Sequence, residues 1–256
     1  MSRVHKIGCS EIWGGNRGDE LFVETSGVKG CLYSRACDGG KGGDIYYFSV
    51  CGSDLLTRIA IADVVGHGDA VSTASGWLFD SLAARMNSAD GNLVLEDLNR
   101  ATTAKGLDAM STATVAAFYR TENQLSFSYA GHHQLLLQSQ GNGSWASLDA
   151  EESPQLSGLP LGVVDSCAYH QQNVTCNLGD RLFLYTDGLI EAMNSAGEQF
   201  GVERLVEVLS HFDAAEELTT IRQAVIDALN SFTGGNLDHD DVTFMILEFI
   251  NAADDE

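Results

Sequence analysis

Short runs of apolar and β-forming residues dominate the first part of the chain. CLYSRA (31–36) and DIYYFSV (44–50) are two such runs, separated by the glycine-dense stretch DGGKGGD (38–44). TRIAIADVVG (57–66) reads as a buried strand that ends in a loop. The period then changes. From Asp69 to Met86 the residues Val71, Ala74, Trp77, Leu78, Leu82 and Met86 fall near one face of a helix, and a second helix is predicted over 92–105. β patterns return in STATVAAFYR (111–120) and QLSFSYAG (124–131), with Thr-Glu-Asn between them as a hairpin turn. QLLLQS (134–139) and AYHQQNVTC (168–176) are weaker strands, and a loop carrying SGLPLGV is expected over 149–166. DRLFLYTDG (180–188) is a buried strand ending in a polar turn.

Two helices follow, over 202–211 and 214–232. The second starts near Asp213 and carries Leu218, Ile221, Val225 and Leu229 at helical spacing. GGN (234–236) ends it, and DVTFMILEFI (241–250) is the last strand. Strands come in runs and helices in pairs, without regular βαβα alternation. That order predicts an α+β fold of antiparallel sheets with helices on their outer faces.

The 256 residues include 44% hydrophobic side chains and only two prolines, Pro154 and Pro160, which suits one large domain. Residues 1–29 are expected to be an N-terminal extension packed on a catalytic domain of 30–250, and NAADDE (251–256) a disordered acidic tail. The 36 acidic and 14 basic residues give a net charge of −22. Such a surface repels nucleic acid and anionic lipid, accepts a basic protein partner, and suits hard divalent cations. The six cysteines form no CxxC pair or zinc spacing and predict reduced thiols in the cytoplasm. MSRVHKIGCSEIWGG lacks the apolar run of a signal peptide, and nothing approaches the ~18 apolar residues of a membrane span.

Four segments share an aspartate where a β run meets a glycine-rich or polar turn: Gly42-Gly43-Asp44, Asp63-Val-Val-Gly66-His67-Gly68, Thr186-Asp187-Gly188 and Asp240-Asp241-Val-Thr243. Singly, an aspartate before a glycine is usually a turn residue, and Asp69 reads as a helix N-cap. As an ordered set they carry more weight. Carboxylates at strand ends can meet in space, and a crowd of them repels unless a cation neutralises it. Oxygen-only ligation points to Mg²⁺ or Mn²⁺ rather than zinc.

In this order, GGDIYYF (42–48), IADVVGHGDAVS (61–72), YAGHHQLLL (129–137), LPLGV (159–163), GDRLFLYTDGLIEAMNSAGEQFG (179–201) and HDDVTFMIL (239–247) resemble the PPM (type two C) metal-dependent protein phosphatases, in their bacterial SpoIIE/RsbU-like branch. The resemblance implies a four-layer αββα sandwich and a protein serine/threonine phosphatase using two ions, Mg²⁺ or Mn²⁺, and an activated water. It implies that Asp63 bridges the ions, that Val64 offers its backbone carbonyl, and that Asp187 and Asp240 hold the second ion. Asp44 acts through water or binds directly, and Asp241 supports the site or holds a further ion. Asp63 and Asp187 are thus the residues on which catalysis rests.

Arg35, on the strand leading toward Asp44, is a candidate for holding substrate phosphate, and its alternative is an ion pair with an acidic neighbour. His67 is a candidate general acid, with His132 a weaker one, and loop ordering is the alternative for both. Cys37 has no base evident beside it in the sequence and reads as an ordinary thiol. EIWGGN (11–16) is an aromatic–glycine turn that packs the extension or touches a regulator. The implied substrate is a phosphorylated signalling protein, such as an anti-sigma-factor antagonist. Ala-Gly-His-His-Gln departs from a family pattern with proline in this loop, and Val64 stands where a small residue is common. No room remains for a sensor domain ahead of the phosphatase region. These features keep a catalytically weak, partner-binding phosphatase fold as the alternative.

Overall fold

Alternation along the strands divides the apolar residues between three layers. In the strand Lys41–Val50 (β5), Tyr46, Phe48 and Val50 pack into one buried cluster, while Ile45 and Tyr47 pack into another on the opposite face. The strand Leu56–Val64 (β6) repeats the pattern, with Ile59 and Ile61 on the first side and Ala60, Ala62 and Val64 on the second. A strand with apolar residues on both faces must be covered on both.

The computed structural model describes residues 4–51, 53–67, 71–88, 90–140, 143–148 and 158–251. These form two sheets. In spatial order, the seven-stranded sheet is β1 (Val4–Lys6), β3 (Asp19–Glu24), β4 (Val28–Arg35), β13 (Val242–Phe249), β12 (Arg181–Tyr185), β9 (Leu136–Gln138) and β10 (Trp145–Ser147). The six-stranded sheet is β11 (Gln172–Thr175), β8 (Gln124–Ala130), β7 (Ser111–Tyr119), β6, β5 and β2 (Ile12–Arg17). All neighbours are antiparallel except β1 and β3, which run parallel.

One apolar cluster, with Leu32, Tyr46, Phe48, Phe118, Leu184 and Phe249, fills the space between the sheets. Helices α1 (Ser72–Ala83) and α2 (Gly91–Lys105) cover the six-stranded sheet through Leu78, Leu82, Leu95 and Leu98. After a short helical turn, α3 (Asp187–Ile190), helices α4 (Gly201–Leu209) and α5 (Leu218–Thr233) cover the other sheet through Leu205, Leu209, Ile221 and Val225. The layers are helix, sheet, sheet, helix, as expected for the αββα sandwich.

Several local expectations change. EIWGGN is mostly strand rather than turn: β2 pairs with β5. A methyl group on Gly14 would stand 2.1 Å from the Tyr46 carbonyl oxygen, so the close pairing needs glycine there. Trp13 packs beside Tyr46 and Phe48 and stacks on His5. Within the stretch set apart as an extension, β1 and β3 lie in one sheet and β2 in the other.

Helix α5 begins at Leu218 instead of near Asp213. The buried Arg181 guanidinium donates to the carbonyl oxygens of Asp213, Ala214 and Glu216 at 3.0, 2.9 and 2.7 Å, so that segment spends its acceptors on a side chain. The polar turn expected after β12 is α3, closed by Glu191 N–H donating to the Asp187 carbonyl at 2.7 Å. The N-cap reading of Asp69, residues 149–157 of the expected loop and residues 252–256 of the tail lie outside the described residues. All six cysteines are free. Among the described residues no helix is long and apolar enough to cross a membrane.

Candidate metal centre

The period-two rule sets what the strands present where the layer between the sheets ends. Asp44 shares a strand face with Tyr46 and Phe48, and Asp63 with Ile59 and Ile61. From the opposite sheet, Asp241 and Thr243 continue the inward face of Met245 and Leu247, and Thr186 continues that of Leu182 and Leu184. The apolar interior therefore gives way to carboxylates and hydroxyls contributed by both sheets.

Their bonds cross between the layers. Thr186 Oγ1 donates to Asp44 Oδ2 at 2.8 Å and accepts from the Thr243 N–H at 3.0 Å. Ser34 and Thr243 share a hydroxyl bond of 2.9 Å beside them. Asp241 accepts from the Gly43 N–H at 2.6 Å through Oδ2 and from the Cys37 N–H at 2.8 Å through Oδ1, so its carboxylate ties down both ends of the β4–β5 loop. Asp187 begins α3, which His239 holds through a 3.1 Å contact between Nε2 and the Gly188 carbonyl oxygen. Asp240 accepts from the N–H of Asp241 at 2.8 Å.

Asp63 is the exception to this satisfaction. Its Oδ1 is sealed from solvent and has no hydrogen-bond partner. A methyl group on Gly43 would stand 3.2 Å from that oxygen, 2.9 Å from the Val64 carbonyl oxygen and 3.1 Å from that of Gly66. Glycine thus leaves open a cradle lined by three oxygens.

The charges are in conflict. Burial raises the Asp63 carboxyl well above its ordinary value, and the nearby charges of Asp44, Asp187, Asp240 and Asp241 add to the rise. Burial likewise raises Asp44, against the lowering effect of hydrogen bonds from Thr186 and Thr243. Burial and the charges of Asp187 and Asp241 push Asp240 up to about 6. No three carboxylate, imidazole or thiol groups are gathered tightly enough to hold a metal ion as they stand, among the described residues. The donor set nonetheless fits a hard cation: an orphaned carboxylate oxygen, nearby backbone carbonyls and mutually repelling aspartates are what a divalent ion would satisfy.

The remaining candidates make other contacts. Arg35 ends β4 and stands 3.7 Å from Asp238, an exposed ion pair. His67 is exposed, and its Nδ1 is 3.3 Å from Cys37 Sγ, so a potential base does stand beside this thiol. Burial and the charge of Asp241 raise that thiol to about 11, which keeps it protonated. His132 lies apart from these bonds; its Nδ1 is 3.1 Å from the His133 carbonyl oxygen, and burial lowers it to about 4. Thr186, Thr243 and the Gly66 carbonyl escaped the sequence reading. The signals present were the threonine directly before Asp187 and the glycine after Val65.

Residues 53–250 match the family described as Stage II sporulation protein E (SpoIIE). The chain is 28% identical over 213 residues to the phosphoserine phosphatase RsbU of Bacillus subtilis (strain 168), covering 80% of this chain and 58% of that one. It is similar to the solved RsbU and RsbW domains of a Mycobacterium tuberculosis protein, with 21% identity, a TM-score of 0.77, and coverage of 93% of this chain and 64% of that chain. It also resembles the catalytic domain of the serine/threonine protein phosphatase PstP, solved with two manganese ions, with 16% identity, a TM-score of 0.59, and coverage of 88% and 99%. The chain therefore spans less than two thirds of the first two relatives, and the structural likenesses establish the αββα fold. With the match running through most of its length, the chain belongs to the SpoIIE family.

Proposed function

We propose that this domain is a metal-dependent protein serine/threonine phosphatase. The observation that carries the reading is the buried, unpartnered Asp63 Oδ1 facing the carbonyl oxygens of Val64 and Gly66 across Gly43. Relatives named as a phosphoserine phosphatase and as a manganese-containing serine/threonine phosphatase support it.

Asp63, the Val64 carbonyl, Asp187 and Asp240 would hold the divalent cations. Asp44, positioned by Thr186, would orient water or join the ligands. Asp241 keeps the β4–β5 loop in place and can still lend a lone pair to an ion. The cations, Mg²⁺ or Mn²⁺, would acidify a water molecule and offset charge on the phosphoryl oxygens.

The chain's own residues do the rest. His67, exposed at the mouth, can give a proton to the departing serine or threonine oxygen. Arg35 is solvent-reachable, interacts with Tyr33 and forms a long ion pair with Asp238, for which a phosphate dianion can compete. The substrate we infer is a phosphorylated signalling protein in the cytoplasm, of the anti-sigma-factor-antagonist kind. The test is phosphate release from a phosphoserine peptide and from an aryl phosphate. Release is expected with Mn²⁺ or Mg²⁺ and is abolished by EDTA; turnover that survives EDTA overturns the assignment.

A further inference from the structure

Two loops that meet beside the aspartate cluster bring a thiol and an imidazole together. Cys37 lies between β4 and β5, and His67 follows β6, thirty positions further along. Cys37 Sγ and His67 Nδ1 are 3.3 Å apart. Adjacent sulfur and nitrogen ligands on a tetrahedral zinc ion are separated by roughly 3.5 Å, from bonds of about 2.3 and 2.0–2.1 Å. The pair is therefore spaced as two neighbouring ligands before any ion arrives. Cys37 is partly exposed and His67 exposed, so an ion can reach both. The carboxylates of Asp38, Asp240 and Asp241 stand close enough to act on the charge of Cys37, and Asp240 also interacts electrostatically with His67. Their field draws in a dication.

We propose that Cys37 and His67 form a binding site for a thiophilic divalent cation, Zn²⁺ or its analogues, separate in chemistry from the oxygen-lined aspartate site. Thiolate and imidazole select softer metals than Mg²⁺ or Mn²⁺. Solvent water completes the coordination. Binding converts the thiol to thiolate and releases its proton to solvent. The β4–β5 loop is fixed at Asp241 through the Cys37 N–H, and the β6–α1 loop carries the Gly66 carbonyl. An ion joining Cys37 to His67 therefore fixes the spacing of these loops across the mouth of the aspartate site.

The test is spectroscopic and needs no turnover, so it is independent of the phosphatase assignment. Co²⁺ is titrated into the full chain in excess Mg²⁺, which occupies oxygen-only sites. A near-ultraviolet sulfur-to-cobalt charge-transfer band is expected. It disappears in Cys37→Ser and persists in Cys9→Ser and Cys51→Ser, the other solvent-reachable thiols. His67→Ala weakens Co²⁺ binding by at least the roughly tenfold loss that follows removal of a supporting residue. In the unmutated protein, Zn²⁺ protects Cys37 from iodoacetamide, read peptide by peptide by mass spectrometry. No sulfur-to-cobalt band, a band that survives Cys37→Ser, or alkylation of Cys37 unaffected by Zn²⁺ overturns the proposal.

Discussion

The hydroxyl of Thr186 donates to Asp44 Oδ2 at 2.8 Å and so joins the end of β12 to β5 in the opposite sheet. Thr186→Val keeps the shape and removes both the donor to Asp44 and the acceptor of the Thr243 N–H. A buried acceptor left without its partner costs roughly 1–3 kcal/mol. In EDTA the variant should unfold at a lower urea concentration than the parent, with its unfolding free energy reduced by about that amount and its far-ultraviolet circular dichroism unchanged. An unchanged midpoint would show that the bond contributes nothing.

Asp63 concentrates the electrostatic conflict of the site. Asp63→Asn removes one charge from a group of five aspartates and should raise the melting temperature of the metal-free protein while lowering hydrolysis by about 100-fold or more. Asp187→Asn should lose turnover similarly. Melting curves in EDTA and aryl phosphate hydrolysis in Mn²⁺ check both halves. Near-parental turnover in either variant contradicts its assignment as a ligand.

The same conflict fixes a pH dependence. Asp240 is raised from an ordinary value of 3.8 to about 6, and Asp44 and Asp63 are raised as well. Above pH 3.8 the folded form keeps protons that the unfolded chain has released. The metal-free protein therefore loses stability as pH rises from there through about 6, and further as the two more deeply buried carboxyls ionise. Melting temperature in EDTA should fall across this range. Mn²⁺ should flatten the fall, and Asp63→Asn should reduce it. Equal slopes with and without Mn²⁺ would remove the link between these carboxyls and the ion.

Gly43→Ala tests the cradle without changing a charge. The added methyl group meets the oxygens of Val64, Gly66 and Asp63 at 2.9–3.2 Å. Mn²⁺ affinity by calorimetry should drop by about tenfold or more, comparable to the loss of a supporting contact. Retained affinity would place the ion elsewhere.

Arg181 provides the contrasting case, far from the aspartates in role. It is 2% exposed and bonds three carbonyls and the Glu248 carboxylate. Arg181→Ala should cost about 3–5 kcal/mol in urea denaturation, because Glu248 loses a buried partner and the segment before α5 loses its anchor. Mn²⁺ affinity of the folded fraction should stay the same.

These contrasts show which features a linear reading reaches. The alternation in DIYYFSV and TRIAIADVVG reveals strands covered on both sides, and Gly66 marks where the backbone bends after β6, whereas Gly42 and Gly43 lie within β5 and not in the expected loop. Such signals lie within a few residues of one another. The Thr186–Asp44 bond spans 142 positions and the Cys37–His67 contact 30, and neither leaves a local pattern. The start of α5 escapes for a similar reason, since helix-forming residues over 214–217 are held open by Arg181 of β12. β2 is hidden because Trp-Gly-Gly resembles a turn until its neighbour β5 requires a strand without side-chain bulk.

Because β5 and β6 supply one half of the aspartates and β12 and β13 border the other, neither layer owns the site. A cation seated there would work as a rivet through both, so its affinity becomes a gauge of how firmly the two halves of the sandwich are pressed together. A loosening anywhere along their shared apolar interior, even at Phe118 and Phe249, would register as weaker ion retention before any aspartate had changed.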